Sequence, residues 1–352
     1  MPNEEIFGYE TKAANLAALE AFGTAIYETA GMTAEDARTM TAIQLNADMR
    51  GVDTHGFQRL PQYVRQLVNG QVKSRPNVSI TRDRGVALAI DGDGGLGQIV
   101  CHRAMTYTIA KAHDMGIAIA TVRASNDWGC GAFYPLMAAR EGFLAVCTTT
   151  SIPTVAPYGS ATRVTGNNPI AVAIPRRAPE APIVLDMALT PVALGKVMLA
   201  RAEGKAIPQE WGFMDLQGRP TTDPETALAG VIPAIGAYKG TGLSIVMNVL
   251  AGILGGGSHS SDVGVGKRGQ FFLVIRPDIF TDEIEFLNAV EDMARQVKNA
   301  KPLPGVQEVF LPGEIERRSE IRVEETGIIN YPPSVISALE DVGRELNVPF
   351  SA

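Results

Sequence analysis

A histidine and an arginine stand four residues apart in the stretch MRGVDTHGFQRLPQY, residues 49–63. The imidazole of His55 has an intrinsic pKa of roughly 6.5, so it can give or take a proton near neutral pH. The planar guanidinium of Arg59 can bind a carboxylate through two parallel hydrogen bonds. Together they suit the interconversion of a 2-hydroxy acid and a 2-oxo acid, which also needs a dry site for nicotinamide. The same pair would also be ordinary in a solvated turn followed by a surface arginine.

Helices on both sides of this stretch must position the two side chains. The segment TAEDARTMTAIQLNADMRG is predicted to be helical, with Thr33 and Asp36 in the arrangement of a capping box and Gly51 at its end. His55 therefore falls in the exit turn. A further helix follows, because Pro61 is tolerated in a first helical turn.

Strand-like runs alternate with helical ones between residues 86 and 187, which predicts an α/β core. Later helices are predicted over 280–300 and 333–346. The apolar run GLSIVMNVLAGILGGG is too short to span a membrane, and we interpret 240–255 as a buried helix.

Composition excludes several classes of function. The chain has 352 residues, suggesting two or three structural units, and its 31 basic and 38 acidic residues give a net charge of -7, which disfavours nucleic acid. Three cysteines without framework spacing are typical of a reducing compartment, and the N-terminus lacks the pattern of a signal peptide. We expect a cytoplasmic protein with no membrane partner. No His, Cys or carboxylate cluster has metal-ligand spacing, so no metal is predicted.

A glycine-rich turn offers a second candidate for cofactor binding. Gly92, Gly94 and Gly97 in DGDGGLGQ match the dinucleotide fingerprint formally, between a predicted strand and a helix. That fingerprint calls for an acidic residue about 20 positions on, where this chain has Arg123. A tight strand-to-helix turn is the favoured interpretation.

The stretch ADMRGVDTHGFQRLPQY resembles the signature of the malate/L-lactate dehydrogenase-like oxidoreductases. Relatives in that family act on ureidoglycolate, sulfolactate, diketogulonate and a cyclic imine. Further matches follow in order between about residues 10 and 345: GNNPIAVAIP, PIVLDMALT, GRPTTDP, YKGTGLSIVMNVLAGILGG, GQFFLVIRP and FLPGE. The resemblance implies an NAD(P)-binding α/β domain that is not a Rossmann fold and an active site completed across a homodimer. It also implies that the Gly92–Gly97 turn is structural.

Three regions are expected on this basis. Residues 1–75 with 280–352 would form a helical and dimer-forming domain that carries His55. Residues 76–125 would form an α/β segment packed against it, and residues 126–279 the cofactor-binding α/β domain.

The resemblance also implies roles residue by residue. His55 would be the general acid/base and Asp186 the carboxylate that orients it. Substrate would be bound by Thr54, Arg59, Tyr63 and Ser151, with Asn168 bracing the pocket. Cofactor contacts are implied for Leu185, Asp186, Met187, Tyr238, Lys239, Gly313 and Glu314.

The chain departs from the family in ASNDWGCG, where many members carry a histidine in place of Asp127. A carboxylate facing the substrate would repel a second acid group and favour an amine, an imine or several hydroxyls. Alternatively, Asp127 is protonated or pairs with an arginine such as Arg123.

The predicted function is an NAD(P)-dependent 2-hydroxy acid dehydrogenase or 2-oxo acid reductase acting on a small molecule. Two alternatives stay open: a reductase of cyclic imino acids, and a non-catalytic ligand-binding member of the family. Arg176 and Arg177 could meet the 2′-phosphate of NADP or be surface charges, and NAD is slightly favoured over NADP.

Overall fold

Two sheets are present in the computed structural model, which describes residues 11–202 and 204–351. The small sheet pairs β1 (Lys12–Asn15) with β9 (Ile328–Tyr331) antiparallel. The large sheet contains β2 (Ser79–Arg84), β3 (Ala87–Asp91), β4 (Ile117–Ser125), β5 (Leu144–Thr149), β6 (Ile170–Ile174), β7 (Ile183–Met187) and β8 (Arg268–Ile275).

The seven strands lie in the order β2-β3-β4-β8-β5-β6-β7. Only β3 and β4 run parallel, and the other neighbours are antiparallel. The prediction of a mixed α/β fold is therefore confirmed, although alternating strands and helices usually indicate parallel pairing. Strands from 76–125 and from 126–279 share this one sheet.

Helices surround the sheet and form a separate layer at one side. In chain order they are α1 (Leu16–Thr29), α2 (Ala34–Met49), α3 (Leu60–Val68), α4 (Gly97–Met115), α5 (Phe133–Arg140), α6 (Leu194–Ala202), α7 (Pro224–Ala229), α8 (Tyr238–Asn248), α9 (Glu283–Lys298), α10 (Glu314–Thr326) and α11 (Pro333–Leu346). The capping prediction is confirmed in part: the Thr33 side chain accepts a hydrogen bond from Asp36 N at the start of α2, but the Asp36 carboxylate binds Arg103 at 2.7 Å.

Side chains from both ends of the chain share one hydrophobic core. Leu19 and Ile26 of α1 and Met40 of α2 pack with Leu339 and Val342 of α11, and all five are fully buried. Helix α9 packs elsewhere, with Val290 and Ala294 against the Ile183 end of β7. The packing of the N-terminal helices against α11 positions the His55 turn.

The predicted helix over 240–255 is present, but the prediction that it is buried is wrong. Helix α8 and the π-helical turn Val249–Ile253 form there, but much of their apolar surface is open to solvent. The exposed side chains are Leu243, Ile245, Val246, Val249, Ile253 and Leu254, each at least 44% exposed. An apolar sequence indicates that a helix surface is more stable when it is buried. It does not indicate whether that surface is buried within the same chain or against another molecule. Within the described residues, no helix is both long and apolar enough to cross a bilayer.

Candidate active site

His55 lies in a tight turn that also places Arg59. The 3₁₀ turns Asp53–His55 and Phe57–Arg59 are separated by Gly56 alone and lead into α3. The Thr54 hydroxyl lies 3.0 Å from Nδ1 of His55, and the Thr54 carbonyl accepts a hydrogen bond from Arg59 Nε at 3.1 Å. Thr54 therefore links the imidazole and the guanidinium through local contacts.

Helix α2 holds this turn from behind. The buried carboxylate of Asp48 accepts hydrogen bonds from Phe57 N at 2.8 Å and from the Tyr331 hydroxyl at 2.7 Å. Gln44 Nε2 donates to the Gly56 carbonyl at 2.9 Å. A Cβ built on Gly56 would lie 1.8 Å from Asp48 Oδ1, so no larger residue fits there. The glycine after the histidine is thus a packing requirement.

His55 and Arg59 line a cavity of about 490 Å³. Other walls come from the end of β7, the segment 128–132 and the residues before α10. Lining residues that bear on chemistry include Thr54, Arg50, Cys130, Leu185, Asp186 and Gly313. The turn therefore presents its two functional side chains to a space of the size that small-molecule ligands occupy.

Asp186 is a second titratable group on the cavity wall. Its carboxylate accepts hydrogen bonds from Ala132 N at 2.7 Å and from the Cys130 thiol at 3.4 Å. Burial raises the pKa of Asp186, the Ala132 N–H and the His55 imidazole lower it, and the net effect is a raised pKa. Its side chain meets the open cavity on one side and protein on the other. No hydrogen bond joins it to His55 among the described residues, so its influence on the imidazole is electrostatic.

The charges around His55 set its protonation. Burial lowers the pKa of His55, Asp127 raises it and Arg59 lowers it, and the net pKa lies below the usual 6.5. The imidazole is therefore neutral at pH 7.

Asp127 pairs with an arginine, but not with Arg123. Arg268 Nη1 lies 3.3 Å from Asp127 Oδ2, whereas Arg123 binds Asp91 at 3.0 Å. The suggestion of Arg123 as partner is wrong, because its side chain turns toward β3. Burial alone would raise the pKa of Asp127, but Arg268 and His55 lower it, and the net pKa falls below its ordinary value. Asp127 is therefore ionised rather than protonated at neutral pH.

Tyr63 connects Asp127 to α3. Its side chain is buried and its hydroxyl lies 3.4 Å from Asp127 Oδ1. Like Asp127, it is not among the residues that line the cavity.

The remaining predicted residues are not part of the lining of this cavity. Asn168 is fully buried; its Oδ1 accepts from Ser151 N at 3.0 Å and its Nδ2 donates to the Ser244 carbonyl at 3.1 Å. This network braces β5 and β6 against α8. Tyr238 and Lys239 lie at the exposed start of α8, and Met187 ends β7 outside the lining.

A second cavity of about 590 Å³ adjoins the first, and both are lined by Pro312 and Gly313. Gly313 has φ +83°, and a Cβ there would lie 2.8 Å from Val184 Cβ, so this junction requires glycine. Glu314 accepts from Lys298 at 2.8 Å and from Arg318 at 2.7 Å. Cationic side chains outnumber acidic ones in the lining: Arg176, Arg295, Lys298, Arg317 and Arg318 against Glu180, Glu291 and Glu314.

Sequence reasoning missed three residues at the site. Arg50 is 4% exposed, binds Glu320 Oε2 at 3.0 Å and lines the first cavity, and Cys130 contacts Asp186. Arg268 stands at the start of an otherwise uncharged strand, RGQFFLVI, and that isolated charge was the available signal. Within the described ranges, no group of three or more His, Cys, Asp or Glu side chains could hold a metal ion.

Comparisons with known proteins agree on one family. A family model described as malate/L-lactate dehydrogenase matches residues 14–340. Malate dehydrogenase of Pyrococcus horikoshii is 37% identical over 297 residues, 81% of this chain and 82% of that protein. Ureidoglycolate dehydrogenase (NAD(+)) of Escherichia coli K12 is 30% identical over 334 residues, 92% of this chain and 95% of that protein. The solved structure of sulfolactate dehydrogenase from Methanocaldococcus jannaschii superposes with a TM-score of 0.89 at 29% identity, covering 96% of this chain and 98% of that one.

Proposed function

The chain belongs to the malate/L-lactate dehydrogenase family, and we propose that it transfers a hydride between a nicotinamide cofactor and a small 2-oxo or 2-hydroxy acid. One observation carries the proposal: a proton carrier, His55, and a cation for a carboxylate, Arg59, are joined through Thr54 on one cavity wall. The substrate-bearing region would thus be built on the helical layer, facing a cofactor domain that is not a Rossmann fold.

Proton transfer is assigned to His55. With Nδ1–H donated to the Thr54 hydroxyl, Nε2 accepts a proton in the neutral ring and carries the exchangeable proton in the imidazolium. Nε2 gives this proton to the substrate oxygen during reduction and takes it back during oxidation. The negative charge of Asp186 stabilises the imidazolium, and Arg59 holds the substrate carboxylate and so decides which face of the carbonyl is presented. The neutral imidazole at pH 7 is in the state required for oxidising the hydroxy acid.

The two adjoining cavities fit a dinucleotide. The first can take the nicotinamide end beside Leu185 and Asp186, and the second adjoins it at Pro312 and Gly313. A diphosphate in the second cavity would compete with Glu314 for Lys298 and Arg318. When bound, the nicotinamide supplies or accepts the hydride.

NAD is proposed over NADP. Arg176 is held by Glu291 through two contacts, at 3.0 and 2.6 Å, and Arg177 Nη2 binds Asn288 Oδ1 at 2.6 Å. Neither guanidinium is free to meet a 2′-phosphate, and the Glu291 carboxylate would repel one.

A substrate panel tests the function. We expect the wild-type enzyme to reduce at least one small 2-oxo acid, faster with NADH than with NADPH, in a spectrophotometric assay of NADH consumption. Cyclic imino acids form the second arm of the panel. Turnover on those alone would identify an imino acid reductase, and NADH binding without turnover on either arm would identify a non-catalytic member; each result contradicts the proposal.

A homodimer is proposed as the active form, and the exposed apolar side chains of α8 and its continuation support it. Val246 and Val249 are 50% and 44% exposed on this surface. We expect a dimer in sedimentation equilibrium, and Val246→Asp should weaken it because a charge would be buried in an apolar contact.

Met115→Asp is the matched control, since Met115 is an apolar side chain with the same exposure, 50%, at the end of α4, outside both α8 and the expected dimer-forming domain. A fully active wild-type monomer would argue against the dimer, as would equal effects of the two substitutions.

A further inference from the structure

The backbone that carries Asp127 is held from two sides. A Cβ built on Gly97 would lie 2.1 Å from the Asp127 carbonyl oxygen, so the glycine-rich turn after β3 packs directly against this segment. Asn126 donates to the Gly95 carbonyl at 2.7 Å and accepts from Gly266 N at 2.7 Å. The turn over 92–97 thus serves to place Asp127, and the loop before β8 is tied to the same point.

Pairing of β4 with β8 then brings in Arg268. Arg268 pairs with Ser125 in the register of the two strands. The guanidinium of Arg268 therefore reaches Asp127, two residues after Ser125. Asp127 Oδ1 accepts from Gly129 N at 2.9 Å, and Oδ2 faces Arg268. Among the described residues Asp127 is the only partner found for the Arg268 guanidinium, so donors of this arginine remain available.

This ion pair lies beside the cavity of His55, although neither side chain is among the residues that line it. The Asp127 side chain is 40% exposed, and Trp128 and Gly129, which follow it, line the cavity of His55. Both charges act on the imidazole of His55, Asp127 by raising its pKa and Arg268 by lowering it. The pair therefore adds almost no net charge to the site, unlike an isolated Asp127.

We propose that Arg268 and Asp127 together select the end of the substrate that is distal to its 2-oxo acid group. Arginine only donates hydrogen bonds and an ionised carboxylate only accepts them. A neutral group that does both, such as a carboxamide or a hydroxyl, can bridge the pair. A second carboxylate would be attracted by Arg268 but repelled by Asp127. This inference rests on the proposed function, because it names the substrate class of the same site.

The test compares two acids of nearly equal size, oxaloacetate and its 2-oxosuccinamate monoamide, by their kcat/KM ratio. We expect the wild type to prefer the amide. Asp127→Asn should shift the ratio toward oxaloacetate by about tenfold or more, and Arg268→Gln should shift it toward the amide by a similar factor, because each leaves one charge uncompensated. The double variant should return the ratio near that of the wild type.

Two further variants guard against trivial causes. Arg268→Lys keeps the charge and should keep the preference, so it tests the idea even if Arg268→Gln folds poorly. Arg123→Gln breaks the neighbouring pair with Asp91 and should leave the ratio unchanged. Shifts of the two single charge variants in the same direction, or equal losses on both acids, would overturn the inference.

Binding separates this inference from the proposed function. The same two acids can be titrated calorimetrically into the His55→Ala variant with NADH, where turnover is not needed. If Asp127→Asn and Arg268→Gln, each combined with His55→Ala, shift the relative affinity for the two acids in opposite directions but the wild type shows no turnover, the specificity role of the pair holds and the dehydrogenase proposal is wrong. If the wild type turns over and the affinity ratio is unchanged in both variants, the dehydrogenase proposal holds and the specificity role is wrong.

Discussion

Replacing His55 with alanine is expected to lower kcat by about 10²- to 10⁴-fold, the usual effect of losing a general acid/base. The ring lies in the cavity wall with Nδ1 occupied by Thr54, so no other described imidazole can take over at Nε2. Steady-state kinetics on the best substrate of the panel gives the measurement. NADH affinity, followed by fluorescence titration, should change little.

His113→Ala is the control, because this imidazole is half exposed on α4 and binds Glu141 at 2.8 Å. It should leave kcat unchanged. A kcat for His55→Ala equal to that of the wild type would remove His55 from the mechanism.

The pH profile gives an independent check on His55. Burial lowers its pKa, and the opposing effect of Asp127 does not restore it. Hydroxy acid oxidation needs the neutral ring, so its kcat/KM should be flat around pH 7 and fall as the pH drops through this lowered value, below 6.5. Oxo acid reduction needs the protonated ring, so its kcat/KM should rise over the same acidic window.

Local signals made the elements of the fold predictable. The capping arrangement of Thr33 and Asp36 starts α2, and apolar runs mark β3 to β8. Strand direction was not predictable, because a strand buried on both faces shows the same run whether its neighbours are parallel or antiparallel. The polar strand β2, sequence SITRDR, shows no apolar alternation and was missed for that reason.

In the site, too, local contacts were predictable from the sequence and contacts between distant strands were not. The contacts of Thr54, His55 and Arg59 lie within one turn, so their spacing alone indicated a shared site. Arg268 reaches Asp127 only because β8 pairs with β4, and no short-range pattern encodes that pairing. Sequence could therefore show that Asp127 was unusual, but not which cation compensates it.

Arg59→Lys is expected to lower kcat/KM for the 2-oxo acid by roughly 10- to 100-fold, mainly through a higher KM, since a charge-assisted hydrogen bond contributes about 1.5–3 kcal/mol. Arg59 is anchored by Nε to the Thr54 carbonyl at 3.1 Å and by Nη1 to Gln62 at 3.0 Å. Because the guanidinium is planar, these two bonds fix the direction of Nη2, which remains for the substrate carboxylate. Lysine keeps the charge but has a single nitrogen, so it cannot hold these anchors and a carboxylate at once.

Arg65→Lys is the matched control on α3, where Arg65 binds Glu345 at 2.9 Å on the exposed face. It should leave KM and kcat unchanged.

A second readout separates a substrate-binding Arg59 from a structural one. Because the guanidinium of Arg59 lowers the pKa of His55, Arg59→Met should move the acidic limb of the oxidation profile to higher pH. If the Arg59 variants change neither KM nor the acidic limb of the profile, Arg59 is only a surface residue next to α3. That result would show that it does not act together with His55.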